Sequence, residues 1–167
     1  KIAVIASRSA GSELVLLVKK ICELIESGAD FETVVEKAEL YSRHTHVVFA
    51  LSSFNNLVKN GRMSKIVGFV ANKLGFWGIG IGSEQGTIEI KQKIRGSKKA
   101  LDAIIEDMKE RGYNCGKVVI SHCRNAEFAE SVKSAIQSVW DKAEVKIVHA
   151  RGLCSYYAEK GGLIIGF

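Results

Sequence analysis

Short β-branched runs and helix-spaced apolar stripes succeed one another along the chain, and their order predicts the fold. Lys1–Ala6, KIAVIA, is a β-branched run of the kind found in buried strands. Leu14, Leu17, Val18, Ile21, Leu24 and Ile25 then recur at helical spacing as far as Gly28, a residue suited to the position just past a helix end. Asp30 is placed to cap a second helix striped by Phe31, Val34, Val35 and Ala38. Val47–Leu51 predicts another strand. Trp77–Ile81 and Thr87–Ile94 flank Ser83-Glu84-Gln85-Gly86 and give the clearest hairpin pattern in the chain. Ser97 is expected to cap a helix that turns Leu101, Ile104, Ile105 and Met108 inward and ends at Gly112. Lys117–Ser121 predicts a strand, and Asn125 a cap for a helix carrying Phe128, Val132, Ala135, Ile136 and Val139. Glu144–Ala150 predicts a strand, residues 151–160 a loop or short turn, and Leu163–Phe167 a closing strand.

From Val47 onward this makes six strands, one hairpin and runs of like elements. That pattern predicts an α/β (α+β) unit with a mostly antiparallel sheet of about six strands and helices on one side. Residues 1–46 read as a different layer. The expected division is therefore 1–46, the end of one α/β lobe, and 47–167, a second lobe. The chain starts at Lys1 and enters a strand-like run at once, the pattern expected of a piece of a longer protein.

Between the strand at Val47 and the hairpin lies the stretch LSSFNNLVKNGRMSKIVGFVANKLG, Leu51–Gly75. It opens polar, tightens at Asn60-Gly61-Arg62-Met63-Ser64, and predicts an apolar helix over Lys65–Leu74. An arginine between a glycine turn and an apolar helix suits an anionic head group at the mouth of an apolar space, because a guanidinium binds carboxylate or phosphate bidentately. Arg95, beside Gly96, has the same setting at the end of the hairpin. Taken alone, each reads more readily as a surface arginine. Gly78, Gly80 and Gly82 alternate in one strand and leave one face without side chains. Either a helix packs tightly there or a long apolar ligand has room.

Composition narrows the choices. The chain has 167 residues, 47% of them hydrophobic and 25% charged, enough for a buried core without staples. No apolar run approaches the roughly 20 residues that span a bilayer. Cys22, Cys115, Cys123 and Cys154 lie far apart without a CxxC pair, which predicts reduced thiols and a cytoplasmic setting. The net charge of +6 is concentrated in Lys59–Lys99, where nine basic residues face Glu84 and Glu89 alone. A solvated face or an acidic partner would each account for it. Interleaved aromatics and a nucleic-acid-binding motif are missing, so no nucleic-acid partner is expected. No Walker loop or GxGxxG follows a strand, and Ser52, Ser53 and Ser64 lack a GxSxG elbow. His44, His46, His122 and His149 match no zinc spacing, so neither metal nor cofactor is expected.

The order of these motifs resembles one family. FALSSFNNLVKNGRMS, an apolar helix, a hairpin and KIRGSKKALDAI together look like the C-terminal half of DegV proteins, and GLCSYYAEKGGLIIGF resembles their glycine-rich final segment. The opening KIAVIASRSAGSELVLLVKKICELIESG resembles the end of their first lobe, so the resemblance covers the whole chain. It implies a two-lobed architecture with a long-chain fatty acid buried between lobes, and a non-catalytic role in which the carboxylate is presented to a separate ATP-binding fatty-acid kinase subunit. Most of the first lobe, with its serine and threonine ligands for the carboxylate, would lie outside this chain. By position, the resemblance assigns Arg62 and Ser64 of the GRMS motif, Arg95 and Tyr157 to the head group. Tyr157 stands where many members have histidine; it can donate a hydrogen bond but cannot carry histidine's positive charge. Ile66, Phe69, Val70, Leu74 and Ile79 are expected to line the acyl chain, with Val67 beside them. Transient contact with a membrane surface belongs to the same expectation. A small-molecule transferase or hydrolase using the same cleft is the alternative.

Overall fold

The computed structural model describes residues 1–63, 75–83 and 85–167. In chain order its elements are α1 (Ser12–Glu26), α2 (Phe31–Ser42), β1 (Val47–Leu51), α3 (Asn55–Lys59), β2 (Phe76–Gly82) and β3 (Ile88–Arg95). They continue as α4 (Ser97–Glu110), β4 (Lys117–His122), α5 (Ala126–Val139), β5 (Glu144–His149), α6 (Gly152–Ala158) and β6 (Leu163–Gly166). The six strands form one sheet in the order β3-β2-β1-β6-β4-β5. All neighbours are antiparallel except β4 and β5, which run parallel and are joined through α5. The mixed α/β class and the mostly antiparallel six-stranded sheet match the sequence pattern.

Period-two alternation assigns the two faces. Val48, Ala50, Ile79, Val118, Ile120, Leu163 and Ile165 point to one face and are buried beneath Ile104, Met108, Val132 and Ile136 of α4 and α5. Phe49, Leu51 and Ile164 point to the other, where Phe54, Leu57 and Ala158 join them. Helix α1 also lies on this second face. Ser12 donates to the Ile164 carbonyl at 2.6 Å, accepts from the Ser121 N–H at 3.2 Å, and its hydroxyl is 2.8 Å from that of Ser121. A Cβ on Gly166 would sit 2.4 Å from the Glu13 nitrogen, so only glycine lets α1 come this close. Helices thus occupy both faces, not one as the pattern suggested, because α1 brings its own apolar stripe (Leu16, Leu17, Leu24) to the second face.

Four local expectations differ from the structure. Lys1–Ala6 is not a strand: among the described residues it pairs with no neighbour, and Ile2 and Val4 stand 95% and 88% exposed. Residues 152–158 form a helix, not a loop. Ser97 opens α4 as its first residue, with Gly96 at φ 92° before it and no side-chain cap. Asp30 does cap α2, accepting from the Thr33 N–H at 2.8 Å. Asn125 holds the cap position of α5, but its amide donates instead to the Gly161 carbonyl at 2.8 Å.

The glycine alternation in β2 is resolved by two rings. A Cβ on Gly78 would stand 2.0 Å from Phe54 Cζ, and one on Gly80 would stand 2.4 Å from Phe49 Cζ. Among the described residues, these two aromatic side chains fill the bare face. On the edge strand β3, Lys91 is drawn down to α4, bonding Asp107 at 2.8 Å and Glu110 at 2.7 Å, while Arg111 bonds Asp107 at 3.0 Å. Asp107 is 2% exposed and satisfied from both sides. One cation of the basic Lys59–Lys99 excess is therefore committed to the fold.

Candidate functional site

Strands β1, β3, β4 and β5 end, and β2 and β6 begin, along one edge of the sheet. Two segments meet there on the second face. The first leaves β1 as α3 and turns at Asn60-Gly61-Arg62. Gly61, at φ 67°, donates to the Val58 carbonyl at 3.1 Å, and the Arg62 N–H reaches back to Leu57 at 2.9 Å. Glycine is required because that left-handed turn reverses the chain and swings Arg62 over the sheet. The second segment is α6 with the turn into β6.

Arg62 and Tyr157 are brought together. The guanidinium carbon lies 5.5 Å from the Tyr157 ring centroid, and Nη1 donates to the Asn60 carbonyl at 3.1 Å. A guanidinium over an aromatic face gains about 0.5–1 kcal/mol at an exposed site, enough to bias its orientation. Among the described residues no other hydrogen bond engages its remaining donors. Below them, Met63, Ile90, Cys123, Tyr157 and Ile164 are partly buried on the apolar cluster of the second face. Arg62 also borders a cleft of 630 Å³ whose apolar members are Met63, Ile88 and Ile90. The arrangement is a cation with a phenol beside it, at the rim of a half-covered apolar floor.

The other expected residues fall differently. Arg95 ends β3 on the same sheet edge, paired with Phe76, and is exposed. Ile79 is completely buried beside Ala50 in the core under α4, on the face away from Arg62 and Tyr157. The alternation of β2 puts glycines, not Ile79, on the Tyr157 side. Ser64, Ile66, Val67, Phe69, Val70, Leu74 and the predicted Lys65–Leu74 helix lie outside the described residues. Sequence reasoning did not find Ile90, on the open face of β3. It also did not find the polar ties between α3 and α6, where Asn56 Nδ2 donates to the Tyr156 carbonyl at 2.8 Å and Asn60 Nδ2 to the Tyr156 hydroxyl at 3.0 Å. The asparagines at 55, 56 and 60 were the available signal: three amides around one short helix need partners.

Further along the edge, His122 and His149 face each other with ring centroids 4.5 Å apart. Nδ1 of His122 accepts from the Asn125 N–H at 3.1 Å, which fixes a neutral ring with its proton on Nε2. Burial, reinforced by the neighbouring His149, holds the pKa of His122 below the ordinary imidazole value, and burial does the same for His46. Among the described residues no group of three or more His, Cys, Asp or Glu side chains could hold a metal ion.

These imidazoles set a pH dependence. Unfolded histidines titrate near 6.5, so below that value the unfolded chain binds more protons than the folded one. Stability is therefore fully present above about pH 6.5 and falls as pH drops toward the lowered folded values. Urea unfolding of the full-length protein should show a lower midpoint at about pH 5.5 than at about pH 7.5, and His46→Gln with His122→Gln should flatten the difference.

Known proteins share this fold. The profile of the family described as "Uncharacterised protein, DegV family" matches residues 1–167. A DegV domain-containing protein of Streptococcus pneumoniae is 42% identical over 167 residues, and one of Streptococcus pyogenes is 43% identical over 166. The chain spans 59% of the length of these curated relatives. Among solved structures, the S. pneumoniae Fatty Acid Kinase (Fak) B3 protein loaded with linoleic acid superposes with a TM-score of 0.97 at 42% identity, covering 100% of this chain and 59% of that one. A DegV family protein from Eubacterium eligens loaded with heptadecanoic acid gives 0.96 at 36%, covering 99% of this chain and 60% of that one. Among the described residues no helix is long and apolar enough to cross a membrane. With a profile match from the first residue to the last and near-superposition on two of its solved members, the chain belongs to the DegV family.

Proposed function

We propose that this chain forms one wall of a long-chain fatty-acid cleft. Residues 47–167 are then the second lobe and residues 1–46 the end of the first. The observation that carries the reading is the Arg62 guanidinium over Tyr157 at the rim of the Met63–Ile90–Ile164 floor. Burying an acyl chain yields about 0.8 kcal/mol per methylene, so roughly 10 kcal/mol for a dozen before ordering costs. The floor supplies part of that gain and Arg62 supplies the charge that the carboxylate needs. Arg62 and Tyr157 hold the head group, Ser64 and Arg95 complete it, and Ile66, Phe69, Val70 and Leu74 continue the lining. The fatty acids carried by the similar solved proteins support the ligand class, and the kinase in the name of one supports the partner. In this role the chain binds and presents; an ATP-binding subunit would phosphorylate the exposed carboxylate. No metal or cofactor enters the scheme.

Solvent extraction and mass spectrometry of the purified full-length protein test the reading. A stoichiometric, exchangeable long-chain fatty acid is expected. Its absence, together with failure to take up added fatty acid after delipidation, would refute the proposal.

A further inference from the structure

One residue at this site is held in a conformation its side chain does not favour. Glu159 ends α6 with φ 53° and ψ 178°. This lies at the border of a backbone region that is essentially glycine's alone, and residues persist there only when the surroundings over-determine them. Its surroundings do so. One carboxylate oxygen accepts from the Ser53 hydroxyl at 2.7 Å, and the other accepts from the Asn56 N–H at 2.8 Å. The side chain thus reaches from the end of α6 to the start of α3, more than a hundred residues away in sequence. Charge-assisted bonds of this kind are about twice as strong as neutral ones.

The two elements it joins carry the two head-group residues. Tyr157 lies two positions before Glu159, within α6. Arg62 lies at the far end of the short arm formed by α3, which has five residues and does not hold its place by its own length. Ser52 completes the seam, donating to the Lys160 carbonyl at 3.1 Å. The other ties between this arm and α6, from Asn56 and Asn60 to Tyr156, are neutral, so without Glu159 the guanidinium loses its fixed distance from the Tyr157 ring.

We infer that Glu159 is a positioning residue that sets the specificity of the site for a free carboxylate by locking the Arg62 arm against the Tyr157 helix. It does not touch the ligand. Its own charge is taken up by Ser53 and Asn56, so it does not repel the anion that Arg62 receives. The inference rests on the proposed fatty-acid reading and adds to it a source of head-group discrimination. An acyl chain without a free carboxylate should bind with little dependence on Glu159.

The test compares palmitic acid with methyl palmitate on delipidated full-length protein, in wild type and in Glu159→Gly, Glu159→Gln, Ser53→Ala and Arg62→Ala. Glycine removes the clamp and also the backbone strain. Glu159→Gly should lower the preference for acid over ester by roughly tenfold, the scale of one lost charged contact, with ester affinity and Tm not reduced. Glu159→Gln keeps the reach and one acceptor and should retain most of the preference, and Ser53→Ala should fall between. Unchanged preference in Glu159→Gly, where Arg62→Ala abolishes it, would overturn the inference. So would parallel losses of acid affinity, ester affinity and Tm, which mark a purely structural role. A wild-type protein without acid preference, or an Arg62→Ala variant that keeps it, would instead overturn the fatty-acid reading itself.

Discussion

Replacing Arg62 by alanine in the full-length protein should weaken fatty-acid binding by about one to two orders of magnitude. The guanidinium lies 5.5 Å from the Tyr157 ring and, among the described residues, bonds the Asn60 carbonyl alone, which leaves donors for a carboxylate. A hydrogen bond to a charged group contributes about 1.5–3 kcal/mol, and each 1.4 kcal/mol is tenfold in affinity. The acyl chain's own burial is untouched, so binding should weaken without vanishing. Lys98→Ala, an exposed cation at the start of α4, serves as the control for net charge. Titration of delipidated protein with palmitic acid reads both. Equal effects from the two substitutions would take Arg62 out of the site.

The second large effect is on stability. Gly78→Ala should destabilise the protein by about 1–3 kcal/mol, the usual penalty for overpacking a core, or a fall in Tm of roughly 2–12 °C for a domain of this size. The new methyl would stand 2.0 Å from Cζ of Phe54, itself 1% exposed, so the ring must leave its place. Phe54 precedes α3, and displacing it would also tilt the arm that carries Arg62. Phe54→Leu in the same chain should recover part of the loss, because the smaller side chain vacates the clash. Thermal unfolding of the two single variants and the double variant gives the coupling directly.

The sheet was largely legible in the sequence because β1, β2, β4 and β6 are short, mainly apolar runs and β3 and β5 alternate apolar with polar positions between turn residues. The Ser83–Gly86 hairpin held, with Ser83 accepting from the Thr87 N–H at 3.0 Å. Lys1–Ala6 failed for a physical reason: a β-branched run becomes a strand only where another strand offers a ladder. Helix α6 was missed because GLCSYYA has weak helix formers and no cap; its order comes from Glu159 and the α3 amides, which are tertiary contacts. The same limit applies to the site. Arg62 is proposed for the site through its glycine turn, a local signal, and Tyr157 through resemblance. Ile79 was misplaced because a strand's two faces cannot be assigned until its register is known. Glu159 carries no sequence signal at all. Its importance rests on a backbone angle and on two partners far away in the chain.

In the proposed function, Arg62 and Tyr157 hold a fatty-acid carboxylate above the second face of the sheet. A crystal structure of the full-length protein with a bound long-chain fatty acid measures this directly. The carboxylate should lie within hydrogen-bond reach of the Arg62 guanidinium, about 3 Å, with the acyl chain running over Ile90 and Met63. A carboxylate remote from Arg62, or an acyl chain placed elsewhere than on that face, would contradict it.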